Sequence, residues 1–126
     1  MNKCKIQGHE YPLRLSLRAA LELEERYGSV KKAVVGDEKG SESRSEKIKR
    51  LAVVLASMAL AGARYDKEEK GIEHPALPCV DDLAEWMLDG LTWRESEELT
   101  LLLIRTANDE GESDWNAEAP QDSQGK

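Results

Sequence analysis

Apolar residues first gather in two short runs, Cys4-Lys5-Ile6-Gln7 and Tyr11-Pro12-Leu13-Arg14-Leu15, on either side of Gly8-His9-Glu10. A short link whose glycine can take a positive φ predicts a β-hairpin. Pro12 has no N–H to give a ladder, so its strand is expected at an edge or interrupted there. A two-stranded hairpin is marginal alone and has to lie on something. The support follows at once. Ser16 is a good N-cap, Leu17, Ala20, Leu21 and Tyr27 recur at helical spacing, and Glu22, Glu24 and Glu25 fall on the other faces. With Gly28 as the stop, this spacing predicts a helix over 17–27 whose Leu17, Ala20, Leu21 and Tyr27 face the core.

Val30, Ala33, Val34 and Val35 suggest one further turn before Gly36 to Ser45, a stretch of Gly, Ser and charge that reads as a loop. Ser43 and Glu46 have capping-box spacing, and beyond them Ile48, Leu51, Leu55, Met58 and Ala59 follow the helical rule. Val53, Val54 and Leu60 widen that stripe until little polar face remains, so the helix at 45–64 is expected to be central to its domain or buried by a partner. Tyr65 to Pro78 is a long connector with Gly71, Pro75 and Pro78. Connectors of that length are often functional or mobile. Asp81 and Asp82 then open a helix through Leu83, Ala84, Met87 and Leu88 to Gly90. Thr92 and Glu95 form a second capping box, ahead of a helix through Leu99, Leu102, Leu103 and Thr106. The chain is therefore expected to be α+β and mostly α: an N-terminal hairpin packed on a bundle of about four helices over 1–108, with a disordered acidic tail over 109–126.

Composition agrees with helices. There is no Phe and aromatics total 5%, so the core has to be aliphatic and alanine-rich. The formal net charge is −7, unevenly spread. Residues 109–126 set Asp109, Glu110, Glu112, Asp114, Glu118 and Asp122 against Lys126, a net −5, which leaves −2 for the rest. An acidic chain without a basic stripe repels a phosphate backbone, so nucleic acid is not an expected partner. Met1-Asn2-Lys3-Cys4-Lys5 carries no apolar leader. The run from Leu51 to Ala63, broken by Ser57 and Gly62, is shorter than the ~20 residues a membrane helix needs.

Candidate chemistry is sparse. No Gly-rich phosphate loop, nucleophile elbow or zinc-protease helix is present, and no catalytic residue, cofactor or metal is expected. The residues that come nearest to a metal set are Cys4, His9, His74 and Cys79, two pairs with four intervening residues each. Structural zinc pairs sit on tight knuckles, whereas these halves lie far apart, and His74 before Pro75 reads as an exposed loop histidine. More informative is Leu101-Leu102-Leu103-Ile104, four consecutive apolar residues that point right round a helix. One face can meet the core, and another is either buried between helices or left for water or a partner. Leu101, Leu102 and Ile104, with Trp115 alone among tail acids, are the candidate partner-binding residues.

One segment resembles a known family. Gly8-His9-Glu10-Tyr11-Pro12-Leu13-Arg14-Leu15-Ser16, then Ala19-Ala20-Leu21-Glu22-Leu23-Glu24-Glu25, then Tyr27-Gly28-Ser29, is similar to the opening of phage tail assembly chaperones of the gene-transfer-agent type. In that family a hairpin ending in a Leu-Arg-Leu-Ser/Thr strand leads into a helix with an Ala-Leu-x-Glu-Leu-Glu core. The resemblance implies a protein of the bacterial host cytoplasm, absent from the mature virion. It would bind the tape-measure protein, help recruit tail-tube subunits and possess no enzymatic activity. Coating a long client also implies self-association. The alternative is a small acidic prophage-borne adaptor that binds a host protein.

Overall fold

The computed structural model describes residues 2–36 and 40–109. Strands β1 (Lys3–Ile6) and β2 (His9–Pro12) pair antiparallel, with Ile6 opposite His9 and Lys3 opposite Pro12. Gln7 and Gly8 make the turn, with φ of 51° and 85°. Positive φ at both centres is what a two-residue type I′ turn demands, and it matches the twist of the strands. The link is thus shorter than Gly8-His9-Glu10, and His9 and Glu10 belong to β2. In such a hairpin Ile6/His9 and Cys4/Tyr11 are the hydrogen-bonded pairs, so Pro12 falls where no ladder bond is needed. The ladder resumes one residue on, where the Leu13 N–H donates to the Asn2 carbonyl at 2.7 Å.

Five α-helices follow: α1 (Leu17–Tyr27), α2 (Val30–Val35), α3 (Arg44–Tyr65), α4 (Val80–Gly90) and α5 (Trp93–Asp109). A π-helical segment, Asp66–Lys70, continues α3 into the connector and stops at Gly71 in the left-handed region. Both expected capping boxes form, with reciprocal bonds between Ser43 and Glu46 and between Thr92 and Glu95. Helix α3 is the central element and touches β2 and all four other helices. Its Leu51, Ala52, Val54, Leu55, Met58 and Ala59 are fully buried. Among the described residues, no helix is long and apolar enough to cross a membrane.

The hairpin docks on α3 by backbone approach. A Cβ added at Gly62 would lie 1.9 Å from the Pro12 carbonyl oxygen, and the Arg14 N–H donates to the Met58 carbonyl at 3.0 Å. Gly62, which interrupts the apolar run in sequence, is where the strand exit meets the helix.

Helix α1 has the expected bounds but a different inward face. Ala19, Ala20 and Leu23 are buried, whereas Leu17 is 78% and Leu21 56% exposed. The small alanines let α1 pack closely, and packing them displaces the Leu17–Leu21 stripe to the outside.

The turn suggested at Val30 is a capped helix, with Ser29 accepting from the Lys32 N–H and Gly36 ending it. Arg50 of α3 is buried beneath it. Its guanidinium donates to the Ala33 and Val34 carbonyls and makes a two-pronged pair with Glu42, at 2.7 and 3.0 Å. The end of a short helix and the following loop are thereby fixed to the central one.

Candidate partner-binding surface

Consecutive residues on a helix step by about 100°, so Leu101 to Ile104 have to separate. Leu103 is fully buried, Leu102 and Ile104 are half-buried against the core, and Leu101 is 55% exposed. Of the candidate residues, then, only Leu101 is presented outright, and Trp115 lies outside the described residues. Sequence spacing had pointed Leu17 and Leu21 inward; one turn apart on α1, they form the more exposed apolar pair, flanked by Arg18, Glu22, Glu24 and Glu25.

Leu102 has a second role. It lines a groove of about 390 Å³ between β1, α4 and α5, together with Cys4, Leu55, Trp86, Leu91 and Leu99. Lys3 and Lys5 border it from β1, and Glu95 and Glu98 from α5. Three consecutive strand residues on one groove mean that the edge of β1 faces it, since alternate side chains point to opposite faces. That edge is the one turned away from β2.

The chain's two histidines meet, 65 residues apart in sequence. His9 Nε2 lies 2.9 Å from His74 Nδ1, and His74 Nε2 lies 2.8 Å from Asp66 Oδ2. The carboxylate can only accept, so Nε2 of His74 carries a hydrogen; with His74 neutral, Nδ1 then accepts from His9. The Tyr11 hydroxyl donates to the Pro75 carbonyl at 3.0 Å, and the His9 and Tyr11 rings meet edge to face. His74 is not an exposed loop residue. Its side chain is 10% exposed and that of Asp66 11%, which makes this a clasp between hairpin and connector. A buried carboxylate orienting a histidine is also the supporting half of a catalytic triad, but the place of the nucleophile is taken by His9. The Cys4 thiol is directed at the Lys5 carbonyl, and burial pushes it up to about 11.

Of the Cys4, His9, His74 and Cys79 set, the fold unites only the histidines. Among the described residues no group of three His, Cys, Asp or Glu side chains is placed to hold a metal. Sequence reasoning missed the Asp66–His74 pair and Arg50, since nothing local marks a charged residue as buried when its partners come from another element. No family model, curated protein or solved structure matches the chain.

Proposed function

We propose that this chain is a non-catalytic, polypeptide-holding protein, a tail assembly chaperone of the phage type whose client is the tape-measure protein. One observation carries the binding role. Helix α1 keeps a second apolar stripe, Leu17 and Leu21, exposed after its core stripe is buried. The client's identity comes from the resemblance, whose Ala19-Ala20-Leu21-Glu22-Leu23-Glu24-Glu25 segment is the body of this helix. Covering a leucine that is exposed in the free protein gains on the order of 1.5–3 kcal/mol. A client helix laid along α1 would gain that at i and i+4, the spacing at which amphipathic helices recognise one another. The acidic tail adds charge repulsion that keeps a loaded complex soluble.

The test is co-expression with a phage tape-measure protein, followed by co-purification. Leu17→Glu/Leu21→Glu and Leu101→Asp are expected to keep the helical circular dichroism of the parent. The α1 double variant is expected to retain less than a tenth of the client. Equal retention by both variants and the parent would overturn the assignment of the surface. No retention by the parent would overturn the client, and retention of a host protein instead would favour an adaptor.

A further inference from the structure

We propose that the exposed face of α1 is self-complementary and, in the free protein, pairs with the same face of a second copy, the two helices antiparallel. Three observations converge on that occupant. First, the charges of α1 run against its dipole. A helix favours acids in its first turn and bases in its last. Here Arg18 stands in the first turn, which holds no acid, while Glu22, Glu24 and Glu25 follow toward the C-terminal end. Arg26, the base of the last turn, lies in a separate cleft with Glu42 and Glu46. An antiparallel copy brings its glutamates to the basic end and its arginine to the acidic one, so a single contact supplies both missing complements.

Second, the exposed residues stand in the order such a pair needs. At about 100° per residue, Leu17 and Leu21 lie about 40° apart, with Arg18, Glu22 and Glu25 along one flank. All five are exposed, and with Glu24 they border one shallow depression. With the two-fold axis beside Leu21, that residue meets its own copy and each Leu17 extends the apolar ladder by a turn. Arg18 then falls between Glu22 and Glu25 of the second copy. Two-fold closure makes this contact occur twice.

Third, the charges are available. Arg18, Glu22, Glu24 and Glu25 form no ion pair among the described residues. Beyond Arg18 a cleft continues to Arg14 and Arg64, with Glu68 as its acid. In a chain of net −7, positive charge therefore gathers where the second copy's glutamates arrive. An interface made by one helix of 11 residues falls below the ~1,200 Å² of standard complexes, so the pair is weak and reversible.

The pairing stands on the protein alone. Its consequence, that a client has to separate two copies to reach α1, rests on the function proposed above. The experiment is sedimentation of the intact chain, without client, from about 10 μM to about 1 mM, the range of weak complexes. The average mass is expected to rise toward that of two chains, and to rise less in about 0.5 M than in about 0.05 M salt as the charge pairs are screened. Arg18→Glu and Glu22→Arg/Glu25→Arg each set like charges against one another at both contacts. Each is expected to weaken pairing at least ten-fold while keeping the parent's helical circular dichroism, since both changes suit the dipole of α1. Mixed in equal amounts, the two variants regain opposite charges at both contacts and should pair as the parent does. A parent that stays monomeric to about 1 mM, variants that pair like the parent, or a mixture that does not recover would each overturn the proposal. Pairing by a parent that retains no client would leave it standing and overturn only the client.

Discussion

Gly62→Ala tests how the hairpin is held. Alanine is the better helix former by about 1 kcal/mol, so in an unobstructed helix the change would stabilise. Here the new methyl would lie 1.9 Å from the Pro12 oxygen and 2.5 Å from its carbonyl carbon. An ordinary C···O contact is ~3.3–3.6 Å, so the strand exit has to retreat by about 1.5 Å. That retreat breaks the 3.0 Å bond from the Arg14 N–H to the Met58 carbonyl and lifts Leu13, which is fully buried. Overpacking costs roughly 1–3 kcal/mol. The lost hydrogen bond adds about 1. Less the helix gain, Gly62→Ala is expected to destabilise by ~1–3 kcal/mol, a fall in Tm of roughly 5–20 °C for a domain of this size. Thermal and urea melts followed by circular dichroism measure it. Gly90→Ala is the control: its Cβ would meet only Trp86 Nε1, at 3.9 Å, so it should leave Tm unchanged or raise it. Gly62→Ala as stable as the parent would refute the backbone contact.

Arg50→Met strips Glu42 and two carbonyls of α2 of their donor. Breaking a buried pair from one side costs ~3–5 kcal/mol. Glu42 is 21% exposed and recovers some hydration, so about 2–4 is expected in urea melts, with Arg50→Lys intermediate because it cannot pair at two points. Burial holds the Cys4 thiol at about 11, so at pH 8 only ~10⁻³ of it is thiolate. Iodoacetamide should therefore label exposed Cys79 at least ten-fold faster than Cys4. The folded chain keeps that proton after an unfolded one has lost it, so stability should fall as pH rises from about 9 to 11 and should not do so in Cys4→Ala. His74→Ala opens the clasp to His9 and Asp66. Limited proteolysis should then cut the stretch 71–79 faster while the melt of the helical core shifts by no more than ~1–3 kcal/mol.

Elements whose signals are local were legible in the sequence. Helix α1 runs over the expected 17–27, and α3 extends the expected 45–64 by one residue at each end. Ser43–Glu46 and Thr92–Glu95 announce their helices because a capping box needs only four consecutive residues. What could not be read depends on distant partners. Helix α1 carries two apolar stripes, and only α2 and α3 packed against it select Ala19, Ala20 and Leu23 over Leu17 and Leu21. Gly62 looks like a flaw in an apolar run until Pro12 is placed against it. Arg50 and Asp66 carry the same formal charges as surface residues, and their burial follows from partners eight residues away in each case. The hairpin turn shifted because Gln7 shares the positive φ with Gly8, a conformation that glycine advertises and glutamine does not.

Among the described residues, buried charged groups hold segments in place: Arg50 fastens α2 and its loop, and Asp66 with His74 fastens the connector to the hairpin. Two surface features are of another kind. On α1 there is a pair of leucines one helical turn apart; on β1 there is a row of backbone donors beside a groove with lysines on its rim. A small solute can complete neither, because one needs an apolar stripe of helical period and the other a run of peptide groups at strand spacing. Another stretch of polypeptide supplies both. The two faces also make different demands on it, since a segment cannot be helical against α1 and extended against β1 at once.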